Sequence, residues 1–152
     1  MIIGVISDIH GHLSTRATEA LRGCDYILCA GDTESPFIIH ELQAIAPTIA
    51  ILGNCDHRDF GPSVTSVVSP LLGGVRFKMV HRPEDIGQLP EDVQVVIHGH
   101  THVPRNQVLD GIRFINPGSP TRPRGGSKKS IAKLTIENAR VTSVDFISVD
   151  LD

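Results

Sequence analysis

Seven side chains in this sequence combine types and spacing that could hold metal ions. They fall in five short blocks: Asp8-x-His10, Gly31-Asp32, Gly53-Asn54-x-Asp56, His81 and Gly99-His100-x-His102. Carboxylate oxygen, amide oxygen and imidazole nitrogen together suit borderline or hard divalent ions such as manganese, iron, nickel, cobalt or zinc, with no thiolate required. Seven ligands are too many for one tetrahedral ion, but they suffice for two if one carboxylate bridges. Two divalent ions about 3.5–4 Å apart are a standard device for in-line displacement at phosphorus. The chain has eight histidines, and four of them sit in these blocks.

Each block follows directly on an apolar run. Met1–Ile6, Tyr26–Ala30 and Thr48–Leu52 read as buried strands. Between them, Ser14–Leu21 and Pro36–Ala44 read as helices, the first with Ser14 as N-cap and the second with an early proline. This βαβαβ order implies a parallel sheet with helices packed on it. The second half is richer in strands: Val64–Val68, Val75–Val80, Val93–Ile97, Gln107–Leu109, Ile112–Ile115, Ile131–Ile136 and Val141–Val149. Gly73-Gly74, Asp110-Gly111 and Glu137-Asn138 mark turns between them, and Thr121–Lys129 reads as a basic, glycine-rich loop. The expected architecture is one α/β domain over residues 1–152, built from two sheets. In such sheets ligands bind at the carboxyl ends of the strands, where the five blocks lie.

Composition excludes several classes. With 40% hydrophobic and 20% charged residues, the chain is neither disordered nor fibrous. No apolar run approaches the roughly 18 residues of a membrane helix, and the short opening run is no secretion signal. A cytoplasmic location is therefore expected. The cysteines are Cys24, Cys29 and Cys55, an odd and scattered set that fits a reducing compartment. A formal charge of −3 and 4% aromatic residues argue against nucleic acid as a partner.

Taken in order, the five blocks resemble the calcineurin-like metallophosphoesterase superfamily. Chain length and the Asn116-Pro117-Gly118-Ser119 segment resemble its small, single-domain YfcE-type phosphodiesterase branch. The resemblance implies a four-layer αββα sandwich of two mixed sheets flanked by helices. It assigns Asp8, His10 and His102 to one metal, Asn54, His81 and His100 to a second, and Asp32 to both. It further implies that a hydroxide held between the ions attacks a small-molecule phosphodiester, with Asp32, Asn54 and His81 as catalytic residues. Manganese is the first candidate metal, with nickel, iron, cobalt and zinc as alternatives. The competing expectation is a catalytically weak interaction scaffold of the same fold, as in the retromer subunit. A homo-oligomer is left open.

Two positions depart from the broader pattern. Many family members carry histidine after the asparagine, where this chain has Cys55, a poor donor toward phosphate. That narrows the expected activity to diesters with good leaving groups. Glycine commonly follows the fourth-block histidine, where this chain has Arg82. Its guanidinium could bind a phosphate bidentately, obstruct the site or point to solvent. Asp56 is expected to orient the block or shape its turn rather than ligate. His12, His57 and His98 border the motifs and are expected to be surface or packing residues, with His12 also a candidate to support the ligands or touch substrate and His98 to donate a supporting hydrogen bond; His40, within the second helix, is expected to be structural. Arg122, Arg124, Lys128 and Lys129 form the basic run: either a solvated loop or a rim attracting an anionic substrate.

Overall fold

The computed structural model describes residues 1–56 and 60–150. Strands β1 (Ile2–Ile6), β2 (Tyr26–Cys29) and β3 (Thr48–Ala50) pair in parallel, joined by helices α1 (Thr15–Leu21) and α2 (Pro36–Ile45). The long hairpin β10 (Ser130–Glu137) and β11 (Arg140–Ser148) then adds antiparallel to β1, giving the order β11-β10-β1-β2-β3. The second sheet holds β4 (Val67–Val68), β6 (Val75–Val80), β7 (Val93–Ile97), β9 (Ile112–Asn116) and β8 (Arg105–Leu109) in that order. β5 (Leu71–Leu72) pairs with β6. β6, β7 and β9 are parallel. Both sheets are therefore mixed, as expected for the α/β sandwich.

Alternation explains the layers. On β1, Ile3 and Val5 point between the sheets, where they meet Leu28, Phe77, Met79, Val95, Ile97, Ile115 and Leu134. Ile6 points the other way, into a second core with Leu21, Ile27, Ile38, Leu42 and Ile131 under the two helices. Burying each such side chain contributes roughly 1.5–3 kcal/mol. Ser14 caps α1, its Oγ accepting from the Ala17 amide. On the far face of the second sheet the helical layer shrinks to a 3-10 turn, Pro83–Asp85, held through Lys78 Nζ donating to the Ile86 carbonyl. No helix among the described residues is long and apolar enough to cross a membrane.

Several element boundaries differ from expectation. The strand expected at Val64–Val68 contracts to Val67–Val68, because Thr65 is drawn into a bridge with Ile51 and its carbonyl accepts from the Leu52 amide. β5 was too short to be read as a strand. The final hairpin turns at Asn138-Ala139, one residue later than expected, because Glu137 still pairs with Arg140. Asn138 and Ala139 have φ of 52° and 60°, the left-handed pair that a type I′ turn demands. Sequence gave little warning, since alanine seldom adopts that conformation.

Candidate metal centre

All five blocks meet at one rim, because the carboxyl ends of β1, β2, β3, β6 and β7 face the same way across both sheets. The backbone leaves its strands abruptly there. Asp8, His10, Asp32, Glu34, His100 and His102 all have φ between 50° and 72°. Left-handed backbone is costly for residues with a Cβ, and such outliers cluster at functional sites. Space is equally constrained. A Cβ on Gly53 would run into Asp32 Oδ1, and one on Gly99 into Ser7 Oγ and Asp8 Oδ2.

Hydrogen bonds fix which atoms face the centre. Asp8 Oδ2 accepts from Ser7 Oγ (2.8 Å) and the His100 amide (2.9 Å), leaving Oδ1 bare. Asp32 Oδ1 accepts from the Cys55 amide (2.8 Å), leaving Oδ2. His10 Nδ1 donates to Glu34 Oε2 (2.6 Å), His81 Nδ1 to the Ala30 carbonyl (2.7 Å) and His102 Nδ1 to the Arg122 carbonyl (2.5 Å). In the neutral ring each of these three Nε2 atoms is then an unprotonated lone pair, the arrangement seen in metal-bound histidine.

These bare atoms converge in two groups. Asp8 Oδ1 lies 3.3 Å from His102 Nε2 and 3.9 Å from His10 Nε2, while the two Nε2 atoms lie 3.2 Å apart. Asp32 Oδ2 lies 3.2 Å from His81 Nε2 and 4.0 Å from His10 Nε2, so it stands between the groups. His100 Nδ1 lies 3.1 Å from Asn54 Oδ1, and the His100 ring packs edge-on against His81 with centroids 5.3 Å apart. Asp8 Oδ1 and His81 Nε2 are buried with no hydrogen-bond partner. Buried polar atoms are rarely left so, and two imidazole lone pairs facing each other repel. Divalent cations among these atoms would resolve both anomalies, so the donor set fits metal.

Burial raises the pKa of Asp32, but the His81 ring and the Cys55 amide outweigh it and hold the carboxyl at about 2. Burial likewise works against a charged His81, yet Asp32, the Ala30 carbonyl and Asp8 draw its pKa upward. His102 is lowered, chiefly by burial. Cys55 is pushed up to about 11 by burial and by Asp32, Glu34 and Asp56. Its Sγ lies within 4.8 Å of the facing atoms of His10 and Asp32.

The remaining expected residues take distinct places. Asp56 accepts from the amides of Asp32 (2.8 Å), Gly53 (2.8 Å) and Glu34 (2.7 Å), and from Thr33 Oγ1. It clamps the Asp32 loop to the Asn54 loop. Arg82 lines a cleft of about 330 Å³ with Asn54, His81, Ser66 and Val67, its Nε donating to Asp85 Oδ2 at 3.1 Å. His12 is exposed beside a second cleft at His10. His98 is buried, its rings bridging the Gly99 carbonyl and Arg105; burial lowers its pKa. His40 is exposed on α2, and His57 lies outside the described residues.

Sequence reasoning missed Glu34, which orients His10, and the bracing by the segment after β9. Asn116 Nδ2 donates to the Gly99 carbonyl and Thr101 Oγ1, and Ser119 Oγ to the Asp8 carbonyl. The available signal was the Asn-Pro-Gly-Ser turn itself.

Known proteins share this arrangement of sequence and fold. The calcineurin-like phosphoesterase superfamily domain matches residues 1–139. A probable metallophosphoesterase of Methanothermobacter thermautotrophicus is 36% identical over 140 residues, covering 82% of this chain and 80% of the relative. The phosphodiesterase YfcE of Escherichia coli strain K12 is 30% identical over 155 residues, covering 84% of each. Wild-type Vps29 of Entamoeba histolytica, solved in complex with zinc, shares the fold with a TM-score of 0.76 at 19% identity, covering 99% of this chain and 100% of that one. With the match running from β1 through the whole ligand rim, the chain belongs to the calcineurin-like phosphoesterase superfamily.

Proposed function

We propose that this protein is a dinuclear-metal phosphodiesterase acting on a small-molecule diester. The observation that carries the reading is the pair of converging lone-pair groups that meet at Asp32 Oδ2, with all seven positions filled by competent donors. Asp8, His10 and His102 would hold one divalent ion, Asn54, His81 and His100 the other, and Asp32 both. Bound there, two ions would supply Lewis acidity toward the phosphoryl oxygens and lower the pKa of an attacking water. Manganese is the first metal to test; nickel, iron, cobalt and zinc share the donor preference.

The chain's own residues orient and restrict. Glu34, Ala30 and Arg122 hold three imidazoles in one tautomer, Asp56 holds the Asp32 backbone amide, and the Cys55 amide holds Asp32 Oδ1. Cys55 stands where an imidazole could protonate a leaving group, and its thiol, with a pKa near 11, is a weak acid at neutral pH. Diesters with good leaving groups are therefore favoured over stable monoesters. The three cysteines are free, which supports a reducing, cytoplasmic setting.

An interaction scaffold is the second reading, favoured by the Vps29 fold match. That protein binds zinc, so metal binding alone does not separate the two readings, but turnover does. Manganese-loaded protein should hydrolyse bis-(p-nitrophenyl) phosphate, and Asp32→Asn should abolish turnover and reduce the manganese stoichiometry below two. Two bound ions without hydrolysis of any diester in a broad panel would favour the scaffold.

A further inference from the structure

A diester has two arms, and the ligand rim opens into two clefts. One meets Asn54 and His81 and contains Arg82, whose charge is already offset by Asp85 at 3.1 Å. Its walls are partly apolar, with Leu52, Val67 and Val80. The other, about 300 Å³, meets the rim at His10 and is lined by His12, Ser14, Thr121, Arg122 and Lys129. Among the described residues no acidic side chain lines it, and no carboxylate pairs with Arg122 or Lys129. The nearby carboxylate of Glu34 is engaged by His10 Nδ1. Ser14 Oγ accepts from the Ala17 amide and keeps its own proton to donate. The basic loop thus places two residues with cationic side chains and no described carboxylate partner on the wall of the site beyond His10.

We propose that this His10-side cleft is a subsite for a second phosphate group, carried on one arm of the diester. The inference rests on the phosphodiesterase reading above and specifies its substrate class. Arg122, Lys129, His12 and the Ser14 hydroxyl offer more donors than the two oxygens of a carboxylate would use, whereas a terminal phosphate presents three acceptor oxygens. A cleft of about 300 Å³ is of a size to hold one short arm. The partly apolar cleft beside Arg82 takes the uncharged arm.

Three matched substrates test this: p-nitrophenyl propyl phosphate and its analogues ending in phosphate or carboxylate. Manganese-loaded protein should show kcat/KM roughly tenfold higher for the phosphate-ended diester than for the propyl one, the gain residing in KM. Lys129→Gln and Arg122→Gln should each reduce that preference about threefold or more and together bring it close to unity. Arg82→Gln should not change the ratio. Equal kinetics for phosphate and propyl arms, or a preference untouched by both substitutions, would overturn the subsite. An equal preference for the carboxylate arm would overturn its assignment to phosphate. Should the wild type hydrolyse none of the three, the phosphodiesterase reading fails instead. The subsite is then judged by titrating the protein with inorganic phosphate under NMR. Shifts at Arg122 and Lys129 that vanish in Lys129→Gln uphold it, and their absence refutes it.

Discussion

Replacing Asp56 by asparagine should loosen the centre without touching a proposed ligand. Its carboxylate accepts from three amides at 2.7–2.8 Å and from one hydroxyl. Asparagine keeps one acceptor oxygen and puts a donor in place of the other. The least costly orientation leaves oxygen facing the Asp32 and Gly53 amides and turns the new amide group toward Glu34 and Thr33. The Thr33 hydroxyl can rotate to accept, but the Glu34 amide cannot. Losing that bond costs about 2 kcal/mol, and removing charge from the other two costs about 0.5–1 kcal/mol each. The total is about 3–4 kcal/mol, or a Tm lower by about 6–16 °C for a domain of this size. Asp32 would also lose its fixed position, and disturbing a group that orients a ligand typically weakens metal binding about 10–100-fold. Thermal unfolding with and without chelator, combined with manganese titration, measures both effects. A Tm within about 2 °C of wild type and unchanged manganese affinity would refute the clamp. Lowered stability with intact affinity would show that Asp56 braces the loops without setting the geometry of Asp32.

Two further outcomes follow from the same geometry. Gly99→Ala should push its new Cβ against Ser7 Oγ and Asp8 Oδ2, costing about 1–3 kcal/mol of stability and weakening manganese binding; calorimetry of both unfolding and binding would detect it. Cys55, with its pKa raised from 9.0 to about 11, should react with a disulfide reagent at pH 8 about tenfold more slowly than an ordinary thiol in chelator-treated protein, its smaller thiolate fraction being partly offset by the greater nucleophilicity of a more basic thiolate. Manganese should accelerate that reaction by opposing the Asp32, Glu34 and Asp56 charges, and stopped-flow absorbance would follow it.

The rim was legible because chemistry and periodicity coincide there: each apolar run ends on Asp, Asn or His, and parallel strands bring such ends together. The partners of those side chains were not. Glu34 reaches His10 across 24 residues and Ser119 reaches Asp8 across 111. Neither pairing leaves a local pattern, because the two loops become neighbours only through sheet order. Boundaries slipped where tertiary pairing overrode local preference, as when the Ile51–Thr65 bridge shortened β4 and Glu137↔Arg140 pairing moved the last turn onto Ala139. The left-handed backbone at Asp8, His10, Asp32, His100 and His102 was also invisible, since Asp and His only tolerate that conformation and do not announce it.

That backbone strain bears on how the centre behaves as a whole. Each left-handed residue costs of order 1–2 kcal/mol, and the six in this rim, Glu34 included, would unwind if the loops were independent. They are instead tied to each other. The Asp8 amide donates to the Gly31 carbonyl and the His10 amide to the Asp32 carbonyl. The His100 amide donates to Asp8 Oδ2, and the Asp32 amide to Asp56. The β1 loop therefore depends on the β2 loop, the β2 loop on the β3 loop, and the β7 loop on the β1 loop. Substitutions within this ring share partners, so their effects should not add. Once Asp56→Asn has freed the Asp32 loop, Gly99→Ala should cost less than it does alone, because the strain it adds to Asp8 can relax through a neighbour already released.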